Sequence, residues 1–143
     1  MKDINASLQK SYYTALNGIV YNDAAVPVYY MTAPDDLVVD NYIIFGGVTN
    51  NDISTKGSSD TNTLMRVTIH TKSNKYNSGQ AANNIAGQVF ARIYPNSQSV
   101  LTLEGAQMFS TELASDNTQD YSIKNSVSFI DRILIFRHKI FHK

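Results

Sequence analysis

Residues 64–94 change hydrophobic period at their midpoint, and that change dictates one strand followed by one helix. Leu64-Met65-Arg66-Val67-Thr68-Ile69-His70-Thr71 alternates apolar and polar side chains, the two-residue repeat of a half-buried strand. After the polar stretch 72–79 the spacing becomes helical, with Ala82, Ile85, Ala86, Val89 and Ile93 along one face. Asn83, Asn84, Gln88 and Arg92 fill the other side and are expected to stay free for a neighbour. None of these side chains has the look of a catalyst.

Other segments read by the same rules. Ile4, Leu8, Tyr12 and Leu16 recur every fourth residue and predict a first helix, which Asn17-Gly18 ends because both residues tolerate a left-handed cap. Val26-Pro27-Val28-Tyr29-Tyr30 is a short extended piece, limited by Pro27 to a strand start or an edge. Asn41-Tyr42-Ile43-Ile44-Phe45-Gly46-Gly47-Val48-Thr49 is a strongly apolar strand in which the paired glycines mark a bulge or a close backbone approach. The polar stretch 50–62 joins it to the strand at Leu64, as a hairpin with an oversized, flexible loop.

Tyr94-Pro95-Asn96 stops the second helix, and segments 99–103 and 107–113 are short strand candidates. The polar cluster 116–120 reads as a loop, and 126–138 as a long strand whose end is apolar on both faces. The order of elements, with no strand–helix–strand rhythm, predicts an α+β fold: a mostly antiparallel sheet with two helices on one face and a long β-hairpin loop. No internal boundary divides the 143 residues, and 137–143 is expected to form a basic C-terminal tail.

Composition bounds the function. No apolar run approaches the roughly 20 residues that span a bilayer, the N-terminus lacks a signal-peptide core, and a cytoplasmic origin is expected. There is no cysteine, hence no disulfide and no thiolate metal site. Formal net charge is zero but uneven: residues 1–61 carry −4, and the segment from Asp116 onward carries +2. Opposite ends on a neutral chain suit head-to-tail contact between copies.

Catalytic and metal chemistry find little footing. His138 and His142 lie four apart, which would suit a metal only on a helix; the surrounding strand pattern makes them surface histidines on a basic tail, and His70 stands alone. Asp35-Asp36 follows a proline and reads as a turn rather than an acid–base pair. Gly46-Gly47 lacks the lysine and helix start of a phosphate loop, and no Gly-x-Ser-x-Gly elbow occurs. No enzyme activity, metal or cofactor is expected. Arg137, His138, Lys139, Phe141 and Lys143 mix basic and aromatic groups, the chemistry of phosphate contact with stacking, and give a second reading: a small nucleic-acid-binding or assembly-chaperone module acting through the tail. The nine tyrosines and the Asn- and Ser-rich loops suit protein contacts better.

Taken together, the N-terminal helix, the Val-Pro-Val-Tyr piece at 26–29, the polar hairpin loop, the Arg-Val-Thr-Ile-His strand at 66–70, the lone Ala-x-x-Ile-Ala-x-x-Val helix and the apolar last strand resemble the tail-completion or tail-terminator proteins of tailed bacteriophages. The resemblance spans nearly the whole chain and rests on element order rather than on an invariant motif. It implies a structural virion protein, made in the host cytoplasm, that forms a sixfold or twelvefold homo-oligomeric ring at the phage neck or the top of the tail. Such a ring joins portal and head-completion proteins to tail proteins and keeps a channel through which double-stranded DNA passes without sequence-specific binding. Carried onto this chain, it makes Asn51, Asp52, Ile53, Lys56 and Asp60 candidates for inter-subunit or inter-ring contact, and makes Arg137, His138, Lys139, Phe141 and Lys143 a candidate arm. The basic tail itself has no counterpart in the family pattern.

Overall fold

The four-residue stripe of the N-terminal segment closes against a sheet as expected. In the computed structural model, which describes residues 3–55, 60–73, 79–97, 101–123 and 127–142, the chain runs α1 (Asn5–Leu16), β1 (Val20–Tyr21), β2 (Ala24–Ala25), β3 (Val28–Tyr30), β4 (Asn41–Asp52), β5 (Asp60–Ser73), α2 (Gly79–Ile93), β6 (Ala106–Ile123) and β7 (Val127–His142). A 3₁₀ turn at Pro95–Ser97 ends the second helix. Strands β3 to β7 form one sheet in the order β3-β4-β5-β7-β6, and β1 with β2 makes a small separate ribbon. The β3–β4 pair is parallel and the other neighbours are antiparallel, so the fold is the expected α+β arrangement.

Side-chain period explains which face carries the helices. Along β5 the alternate residues Thr61, Thr63, Met65, Val67, Ile69 and Thr71 are buried, as a strand covered on one side requires. Against them lie Leu8, Tyr12 and Leu16 of α1 and Ala82, Ile85, Ala86, Val89 and Ile93 of α2, all in the same apolar cluster or buried beside it. Alanines at 82 and 86 let the helix backbone approach the sheet closely. The rings of Tyr12 and Phe45 stack with centroids 5.9 Å apart, and Phe90 and Phe136 meet edge to face at 6.1 Å, joining helices to β4 and β7.

Two loop signals in the sequence have clear backbone causes. Asn17 caps α1 through its N–H to the Tyr13 carbonyl, and Gly18 turns the chain with φ +89°. At Gly46-Gly47 the β4–β5 register shifts, the bulge that the paired glycines predict. Gly46 sits so close to Met31 that an added Cβ would lie 2.5 Å from its sulfur.

Several expectations are corrected. The expected loop 50–62 is ladder at both ends: Asn50, Asn51 and Asp52 pair with Thr63, Asn62 and Thr61, and residues 56–59 lie outside the described residues. The hairpin base is pinned to α1, since Thr63 donates to Asn50 Oδ1 at 2.7 Å and Asn50 donates to Asn5 Oδ1 at 2.8 Å. The polar cluster 116–120 is not a loop but the middle of the 18-residue strand β6, paired residue by residue with β7. A long neighbouring strand satisfies its backbone, and that outweighs the turn preference of Asn and Asp. Of the 99–103 strand candidate, Leu101 and Leu103 are instead irregular chain plugging the core, and the start of the segment lies outside the described residues.

The C-terminal tail is corrected too, because residues 137–142 belong to β7, second from the edge between β5 and β6. The polar side of α2 is also less free than expected. Arg92 donates to the carbonyls of Ala15 (3.2 Å), Asn17 (2.6 Å) and Gly18 (3.2 Å), so a cation on α2 neutralises the C-terminal end of α1. Gln88 donates to the Val20 carbonyl, and Asn83 accepts from Arg132.

Candidate functional site

The histidines, the residues with most chemical potential, stand in three different places. In a strand, residues four apart are separated by about 13 Å, so His138 and His142 on β7 cannot share an ion. His138 is fully buried: its Nε2 shares a hydrogen bond with the Tyr12 hydroxyl, and its Nδ1 shares one with Thr111 Oγ1 at 2.8 Å. Burial pulls its pKa down to about 4 and pushes the Tyr12 hydroxyl well above its ordinary value, so both are neutral near pH 7. His142 Nε2 shares a 2.6 Å hydrogen bond with Thr61 Oγ1. Both were expected on the surface; the alternation of Leu134, Phe136, His138, Ile140 and His142 is the signal that places them inside.

His70 lies on the opposite face, its Nδ1 3.0 Å from Asp131 Oδ1 and its ring stacked on Tyr42 at 4.7 Å. Desolvation, then the nearby Asp131 charge, raises the Tyr42 pKa. Asp35 and Asp36 occupy a turn, as their neighbours suggest. Among the described residues no three His, Asp or Glu side chains group as a metal site.

The hairpin-tip residues are strand ends and turn formers. Asn51 and Asp52 close the β4–β5 ladder, Ile53 donates its N–H to the Asp60 carbonyl at 3.0 Å, and Asp60 begins β5. Hydrogen bonds from Ser54 lower the pKa of Asp52. Lys56 and Lys143 lie outside the described residues.

The supposed arm divides by strand parity. His138 is core, whereas Arg137, Lys139 and Phe141 point to the face of the sheet that no described helix or strand covers. On that face Arg137 bonds Glu112 at 2.8 Å. Beside Lys139, β6 shifts register between Met108 and Ser110, and the extra residue is Phe109. The bulge presents its ring 69% exposed, with the Lys139 ammonium 5.1 Å from the ring centroid. No local sequence signal marks Phe109, because a bulge depends on how two strands register.

At the far end of the same face the 31–40 connection folds over β4 and β5 and leaves a cavity of about 510 Å³. Its walls are Leu37, Val38 and Val39 with the rings of Tyr42 and Phe129, and Asp40, His70 and Asp131 supply its polar groups. Lys72 lies 6.0 Å from the Phe129 centroid. Val38 on the lip is 93% exposed. Between the two ends the open face carries partly exposed Ile44, Leu64, Ile133 and Ile135.

No protein-family model matches the chain, and no curated protein sequence does. Among solved structures, a chain from the virion of a native gene transfer agent particle shares the fold, with a TM-score of 0.71 over 99% of both chains and 16% sequence identity. At that identity the likeness is one of fold.

Proposed function

We propose that this protein is a structural virion subunit that assembles as a ring at the neck or the top of a phage-like tail. The ring joins the portal and head-completion proteins to the tail and keeps a channel for DNA. The observation that carries the reading is the end-to-end fold likeness to a chain of a virion particle, which covers 99% of both chains. The uneven charge, with an acidic N-terminal half and a basic C-terminal segment, supports contact between unlike faces of identical copies. Nothing in such a role requires a catalytic residue, a metal or a cofactor.

The reading of a nucleic-acid-binding or chaperone module loses its basis, because the arm it needed is a strand hydrogen-bonded on both sides. Arg137 and Lys139 contribute side chains to a surface, not a mobile tail.

The test is direct. Mass photometry of the purified protein is expected to give monomers or weak oligomers, and imaging of particles from the producing host is expected to show a closed ring containing it, sixfold or twelvefold. A stable monomer absent from purified particles refutes the proposal.

A further inference from the structure

The open face carries an unusual pair of features at opposite corners: a projecting aromatic ring and a cleft with apolar walls and a charged mouth. Phe109 stands out on its bulge, and exposed Phe141 lies on the same corner, reached through the Gln107–Phe141 pairing. Burying such a ring removes a large apolar area from water, and aromatic anchors seated in pockets are among the contacts that dominate binding energy. The cavity walled by Leu37, Val38, Val39, Tyr42 and Phe129 lies within the size range of pockets that take such groups.

The ring cannot reach the cavity of its own chain. Lys139, beside Phe109, is eight to ten residues along β7 from Asp131 and Phe129, which is about 30 Å of strand. Charge then selects between the remaining arrangements. At the Phe109 corner Arg137 is paired with Glu112 and the Lys139 ammonium stands over the ring; at the cavity corner Asp40 and Asp131 line the cleft together with Lys72, and Asp35 and Asp36 are exposed in the connection that carries Asp40. Two Phe109 corners placed face to face would bring two Lys139 ammonium groups together, whereas a Phe109 corner against a cavity corner sets Lys139 against carboxylates.

We propose that Phe109 of one copy seats in the cavity beneath Val38 of a second copy, with Lys139 meeting Asp40 at its mouth. The contact is heterologous, because each copy offers a knob at one corner and a socket at the other, and repetition of it generates a closed ring or an open chain. It rests on the ring reading above and adds to it the surface through which neighbours engage.

The absence of cysteine from the sequence makes the test clean. Val38→Cys on the socket lip and Ser110→Cys beside the knob are both at exposed positions. The full-length double variant treated with a short bis-maleimide is expected to give a ladder of dimers, trimers and higher species. Each single variant alone is expected to stay uncrosslinked, and the two mixed are expected to stop at dimer. Phe109→Asp in the double-cysteine background is expected to cut the ladder on the order of tenfold, as loss of an interface anchor does, with an unchanged circular dichroism spectrum. High salt weakens the ladder, since exposed charges are screened.

Dimers from Val38→Cys alone, a ladder indifferent to Phe109→Asp, or retention of duplex DNA by this corner in place of any ladder overturns the proposal. Rings in particles without a Phe109-dependent ladder remove this contact and leave the ring. Particles lacking the protein remove the ring reading itself.

Discussion

Lowering the pH from 7 to 4 tests the buried imidazole at the centre of the fold. His138 lies between the Tyr12 and Thr111 hydroxyls, and a neutral ring satisfies both neighbours, because one nitrogen donates and the other accepts. Burial holds its pKa at about 4, whereas in the unfolded chain it has the ordinary value near 6.5. As pH falls below about 6.5 the unfolded state takes up a proton that the folded state refuses. Stability contributed by the neutral ring is therefore complete above that pH, declines between about 6.5 and 4, and is gone below. The gap between the two values corresponds to about 3 kcal/mol, a large part of the 5–15 kcal/mol that holds a typical domain.

The comparison is between the wild type and His138→Gln, whose amide can donate and accept but does not titrate. Urea unfolding at a series of pH values and at low protein concentration gives the stability of each. His70 and His142 are present in both proteins, so their contributions cancel. The wild type is expected to lose about 3 kcal/mol more than the variant between pH 6.5 and 4. Parallel pH dependence in the two proteins, or a His138 nuclear magnetic resonance titrating near 6.5, refutes the reasoning.

Two smaller perturbations address the backbone and the helix junction. Gly46→Ala is expected to cost on the order of 1–3 kcal/mol, read as a lower melting midpoint, because the new methyl meets the Met31 sulfur at 2.5 Å and its Cα at 3.4 Å; Met31→Ala in the same chain is expected to recover part of the loss. Arg92→Leu removes three hydrogen bonds to the end of α1 and is expected to lower stability by about 1–2 kcal/mol, checked by the urea midpoint.

Much of the fold is legible in the linear order of residues, wherever one element's own repeat decides its state. The stripe of Ile4, Leu8, Tyr12 and Leu16 is buried throughout, and so is the helical face from Ala82 to Ile93. Alternation from Leu64 to Thr71 names the covered side of β5, and the paired glycines mark the bulge. These signals are local, because a helix or strand with one buried face must repeat its apolar residues at its own period.

What the tertiary structure decides is everything that depends on a neighbouring strand. Residues 116–120 look like a loop and 137–142 like a basic tail because their exposed side chains are polar, yet backbone pairing is indifferent to the side chain that faces water. Strand parity then separates His138, held in the core, from Arg137 and Lys139 on the open face. The candidate contact surface is of the same kind: Phe109 projects because β6 carries one residue more than β7 opposite it, and the cavity exists because the 31–40 connection crosses the sheet end. The sequence by itself determined the two helices, the strands at 41–49 and 64–71, and which of their faces turn inward. Their partners and registers, and with them the shape of the outer surface, came only from packing, since hydrogen bonds between strands join residues far apart in the chain.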